Sequence, residues 1–134
     1  MEKVEHIGIA VRNLKNAGSL YERLLGCPSY KKETVDSESV ITEFFKVGDT
    51  KIELLEATSE TSAIASFIEK RGEGIHHIAF AVEDIVAEMK RLKNEGFVLL
   101  NETPKKGADN KLVCFVHPKS AGGVLIELCQ EIRK

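Results

Sequence analysis

The chain has 134 residues, 43% of them apolar and 30% charged, with a net charge of −2, which suits one globular domain with its own core. The near-neutral balance argues against a nucleic-acid footprint or a like-charged interaction tail, and no apolar run nears the roughly 18 residues of a membrane span. The opening MEKVEHIG runs straight into a strand pattern, and Cys27, Cys114 and Cys129 are odd in number and irregularly spaced, so neither a signal peptide nor a disulfide framework is expected, and a reducing cytoplasm is.

In chain order, VEHIGIAV (4–11) alternates as a strand. Asn13 then caps a helix over 14–26, where Leu14, Ala17, Leu20, Leu24 and Leu25 recur at helical spacing and Gly26 ends the run. Three strand-like runs follow: SYKKETV (29–35), SVITEFFKV (39–47) and TKIELLE (50–56), the last two joined by the hairpin connector VGDT. A helical segment covers SETSAIASFIEKRG (59–72). GIHHIAFAV (74–82) is the next strand, Asp84 caps a helix over 85–96 that ends at Gly96, and FVLLNE (97–102), KLVCFVH (111–117) and GVLIELC (123–129) read as strands. SAGG (120–123) turns the chain before the last of these.

The second half repeats the first. HIGIAV (6–11) aligns with HIAFAV (77–82), so His77 is the counterpart of His6 and His76 is the extra histidine. The same order of strand, helix and three strands follows each. The expected organisation is a single α+β domain over 1–134, made of two β-α-β-β-β modules at 3–57 and 73–131 with a helical linker over 58–72.

Each module places a histidine on its first strand and a glutamate on its last: His6 with Glu53, and His77 with Glu127. Strand alternation puts His6 with Gly8 and Ala10, and His77 with Ala79 and Ala81, while the large apolar residues take the other face. The histidine face is therefore lined by small residues and has space for a ligand. Glu53 and Glu127 alternate with Ile52 and Leu54, and with Ile126 and Leu128, and so also point away from the apolar face. Two imidazoles and two carboxylates suit one divalent transition metal per chain (Co, Ni, Mn or Zn) in an open, catalytic coordination. His76 has the opposite parity to His77 and is read as a packed neighbour of the site.

The stretches GDTKIELLE (48–56), GEGIHHIAFAV (72–82) and FVHPKSAGGVLIEL (115–128) resemble the vicinal oxygen chelate, or glyoxalase-like, superfamily, and within it the epimerase branch. The resemblance implies a curved mixed sheet around a metal-binding cleft, with His6, Glu53, His77 and Glu127 as the metal ligands. It implies a homodimeric isomerase that epimerises methylmalonyl-CoA, taking and returning a proton at the carbon between carboxylate and thioester through a metal-stabilised enolate. Glu127 is then one acid/base group, and Glu43, a carboxylate on a neighbouring strand, is the candidate for the other. The phosphate-bearing substrate needs local positive charge in a slightly acidic protein. Lys105, Lys106, Lys111 and Lys119 cluster in the last third, and His117 stands before Pro118 at the end of a strand. Lys105, Lys106, His117 and Lys119 are accordingly expected at the substrate. The ligand set also suits a lactoylglutathione lyase (glyoxalase I), although H-P-K stands where those enzymes typically read D-P-D-G. A metal-free small-molecule-binding module of the resistance type is the remaining alternative.

Overall fold

A computed structural model describes residues 1–132. Two compact units emerge, one of His6–His76 and the other of Met1–Glu5 together with His77 onward. The N-terminal five residues thus group with the second half of the chain. The main chain of Glu2 donates to Ala81 at 2.9 Å, and the terminal ammonium lies 3.3 Å from Glu88 Oε2.

Strand β1 spans Lys3–Ala10, and helix α1 spans Leu14–Leu25. The Asn13 side chain accepts from the Asn16 amide, and Gly26 closes α1 in the left-handed region at φ 75°, a conformation that costs glycine no Cβ clash. Then come β2 (Lys31–Val35), β3 (Val40–Val47) and β4 (Thr50–Ala57). The strand order in this unit is β2-β3-β4-β1, antiparallel except for the parallel pair β1 and β4. Ile9, Val11, Phe45 and Leu54 pack with Leu14, Ala17, Tyr21 and Leu25 of α1. This is the apolar face that the alternation called for.

Helix α2 (Ala63–Arg71) is capped by Ser62. It is more than a connector: Ile64, Phe67 and Ile68 pack on Ala10, Val40 and Leu55 in the core of the first unit. Ala10 and Leu55 belong to the opposite sheet face from Ile9 and Leu54, so α1 and α2 cover different faces of the same sheet.

The second unit repeats the pattern with β5 (Gly74–Ala81), α3 (Ile85–Asn94) capped by Asp84, a two-residue β6 (Lys105–Lys106), β7 (Lys111–Val116) and β8 (Ile126–Glu131). Its order is β5-β8-β7-β6, again with one parallel pair, β5 and β8. Val82, Ile85, Met89, Leu92, Cys114, Val116 and Leu128 form its core on the α3 side.

The expected strand over 97–102 is instead an irregular edge. Leu99 makes an isolated bridge to Val116, and the Asn101 side chain takes the Phe115 amide at 3.0 Å in place of a main-chain partner. Pro104 has no amide to give, so regular pairing resumes only at Lys105.

Candidate metal centre and its surroundings

The two units build the same arrangement from the same register. In β1 and β4, Gly8 lies opposite Glu53, and Gly8 is two residues beyond His6. In β5 and β8, Ala79 lies opposite Glu127, and Ala79 is two residues beyond His77. Partners across a ladder share a face, as do residues two apart on a strand. Histidine and glutamate therefore meet in each unit: His6 Nδ1 is 3.1 Å from Glu53 Oε2, and His77 Nε2 is 3.3 Å from Glu127 Oε1.

All four side chains are buried, with between 4% and 6% of each residue exposed. Carboxylates removed from water need compensating charge or hydrogen bonds, and each of these has an imidazole beside it. The spacing also fits coordination. Ligand atoms about 2.1 Å from one ion and at right angles to each other stand about 3 Å apart. Nitrogen and oxygen donors of this kind suit a divalent metal ion.

His76 lies on the opposite parity. Its ring stands edge-on to Phe67 of α2 with centroids 5.0 Å apart, and burial pushes its imidazole down to about 4. Burial thus disfavours the charged form of this ring, which packs against α2.

Glu43 does not join its unit's His–Glu pair. It lies opposite Leu54, whereas its neighbour Phe44 lies opposite Glu53. Glu43 therefore shares the α1 face, away from His6 and Glu53. Its carboxylate accepts from Ser29 Oγ at 2.6 Å, and a Cβ added to Gly18 of α1 would stand 2.5 Å from its Oε1. Gly18 leaves the room in which this buried carboxylate sits. The residues of β3 that share the face of Glu53 are Val40, Thr42, Phe44 and Lys46, and sequence reasoning singled out none of them.

The expected substrate residues also separate. Lys105 lies opposite Val113, on the face that carries Phe115 and Glu127, with its Nζ 5.8 Å from the Phe115 ring centre. Lys106 lies opposite Leu112, which packs on the α3 side, and so faces away from the pair. His117 organises its own turn: its Nδ1 accepts from the Lys119 amide at 3.1 Å, capping a 3₁₀ turn over Pro118–Ala121. Lys119 lies within that turn, and Lys111 lies 3.9 Å from Asp109 Oδ2.

Phe115 was likewise unforeseen. It lies directly opposite Glu127, and its ring meets that of His77 edge to face at 6.0 Å. Its signal in the sequence was only a large ring among the small residues of that face.

A model of the Glyoxalase/Bleomycin resistance protein/Dioxygenase superfamily matches residues 5–115. The chain belongs to this superfamily and has its paired-module fold. Its relatives include epimerases. It is 42% identical over 130 residues to the ethylmalonyl-CoA/methylmalonyl-CoA epimerase of Cereibacter sphaeroides, covering 96% of this chain and 97% of that one. The crystal structure of methylmalonyl-CoA epimerase from Mycobacterium tuberculosis superimposes with a TM-score of 0.92 at 37% identity, over 97% of this chain and 88% of that one. A single-substitution variant of the Streptomyces coelicolor methylmalonyl-CoA epimerase in complex with 2-nitronate-propionyl-CoA gives a TM-score of 0.94 at 31% identity, over 98% of this chain and 95% of that one.

Proposed function

We propose that this protein is a metal-dependent isomerase that epimerises methylmalonyl-CoA at its α-carbon. The observation that carries the reading is the duplicated register, which sets a buried His–Glu pair on the same strands of both units. Relatives named as methylmalonyl-CoA epimerases, which align over nearly the full chain, support it.

His6, Glu53, His77 and Glu127 would hold one divalent ion between them, the chain acting as a single domain of two modules. Such an ion supplies positive charge that steadies the negative charge developing on the substrate oxygens. The protein's own part is proton transfer and positioning. Glu127, buried beside His77, takes the α-proton on a carboxylate oxygen. Inversion requires delivery of a proton to the other face of the carbon from a group that begins the turnover protonated. Glu53, the matching residue of the first unit, would fill that place as the carboxylic acid, ending as the carboxylate while Glu127 ends protonated, and the two exchange roles for the opposite epimer. Glu43 is assigned to structure instead, because its carboxylate is engaged by Ser29 and lies against α1. The small residues beside the pairs, Gly8 and Ala79, leave room for the acyl group. The same reading carries a homodimer and a cytoplasmic setting, in keeping with three unbridged cysteines. Among the described residues no helix is long and apolar enough to cross a membrane.

The test is wash-in of deuterium at the α-carbon of methylmalonyl-CoA in deuterated water, with and without chelator, beside a methylglyoxal–glutathione assay. Metal-dependent exchange is expected. Isomerisation of the hemithioacetal without exchange on methylmalonyl-CoA would reassign the substrate.

A further inference from the structure

The duplication extends beyond histidine and glutamate. In the first unit Phe44 lies directly opposite Glu53, and in the second Phe115 lies directly opposite Glu127. Each ring carries a lysine from the edge strand: Lys31 Nζ is 4.9 Å from the Phe44 ring centre, and Lys105 Nζ is 5.8 Å from that of Phe115. Both distances are within the range at which a ring face attracts a cation. Register explains the placement. Lys31 pairs with Phe44 itself, and Lys105 pairs with Val113, two residues from Phe115 on the same face. Each lysine is the first of a Lys-Lys doublet. The second members, Lys32 and Lys106, pair with Glu43 and Leu112 on the opposite face.

We propose that Lys31 and Lys105, each seated on the phenylalanine beside its unit's glutamate, anchor the anionic groups of the substrate. The proposal rests on the epimerase reading, whose substrate bears a free carboxylate at one end and phosphates at the other. The argument is electrostatic. The chain carries a net charge of −2, so it has no general attraction for an anion. The site faces themselves carry Glu53 and Glu127. Positive charge must therefore be local, and an aromatic seat holds a flexible ammonium in one place at little entropic cost. Both lysines keep access to solvent: the Lys31 side chain is 35% exposed and Lys105 is exposed. Lys31 also lies 3.3 Å from Glu33 Oε1, a surface pair that an incoming anion can displace.

The experiment compares Lys31→Gln, Lys105→Gln, Lys32→Gln and Lys106→Gln with the wild type. Calorimetry gives the Kd for methylmalonyl-CoA, and deuterium exchange gives KM and kcat. Lys31→Gln and Lys105→Gln should each weaken Kd and raise KM by about tenfold, as expected for loss of a charge-assisted contact, with a smaller change in kcat. Lys31→Arg and Lys105→Arg should restore most of the affinity. A second substrate, methylmalonyl-pantetheine, lacks the nucleotide phosphates. A defect that persists with it assigns that lysine to the carboxylate, and a defect that disappears assigns it to the phosphates. The proposal is overturned if either Lys31→Gln or Lys105→Gln binds methylmalonyl-CoA as tightly as its doublet neighbour's variant. Wild-type protein that binds the thioester but exchanges no proton would defeat the epimerase reading alone, and the Kd comparison would still decide the anchors.

Discussion

Replacing Gly18 by alanine tests where the Glu43 carboxylate lies, and with it which glutamates are left for the chemistry. The new Cβ would stand 2.5 Å from Glu43 Oε1 and 3.2 Å from its Cδ. The carboxylate must shift, and on this buried face the shift is expected to break the 2.6 Å bond that Ser29 Oγ donates to its Oε2. A hydrogen bond to a charged acceptor is worth about 1.5–3 kcal/mol. Alanine recovers about 1 kcal/mol over glycine inside a helix. The expected net loss is about 0.5–2 kcal/mol, and for a chain of 134 residues each kcal/mol lowers Tm by about 3–4 °C. In a Glu43→Ala background the space is open and Gly18→Ala should raise Tm, giving a coupling energy of about 2 kcal/mol in the double-mutant cycle. Calorimetric melts of the four proteins measure it. Glu43→Gln, assayed alongside, should keep its metal and turn over within a fewfold of wild type. A Tm that rises on Gly18→Ala in the wild-type background would refute the packing. A fall in turnover of about a hundredfold in Glu43→Gln, the scale of a lost acid/base group, would return Glu43 to the chemistry.

Two further outcomes follow from the histidine pair. His77→Ala should lose most of the bound divalent metal in elemental analysis while His76→Ala keeps it, and equal metal contents in the two variants would break the ligand assignment. His76 should also make the protein acid-sensitive, because burial holds its imidazole neutral down to about 4 whereas the unfolded chain takes up the proton near 6.5. Between those values the unfolded state binds more protons, so this contribution is complete above the upper value and is lost as pH falls toward the lower, up to about 3 kcal/mol in all. His76→Phe keeps a ring against Phe67 and should flatten the urea-midpoint profile across that window; a profile parallel to wild type would contradict the burial account.

Much of this protein is written locally. Asn13, Ser62 and Asp84 cap the three helices, and Gly26 ends the first, because capping depends on a few consecutive residues. The His–Glu pairs are legible for a related reason. Strand alternation assigns faces, and the repeat of HIGIAV in HIAFAV shows that two strands do the same work. What the chain could not disclose depends on how strands are paired. Glu43 reads as a carboxylate near the site, yet only its pairing with Leu54, and the space left by Gly18 on a helix 25 positions earlier, shows that it is turned the other way. Within the Lys105–Lys106 doublet, only the register against Val113 and Leu112 tells one lysine from the other. The seating of lysine on phenylalanine joins residues from different strands, and a shift of one residue in pairing would send each to the opposite face. Composition and alternation determine which residues are available on a strand, whereas register, fixed by turns and core packing across the whole sheet, decides which of them meet.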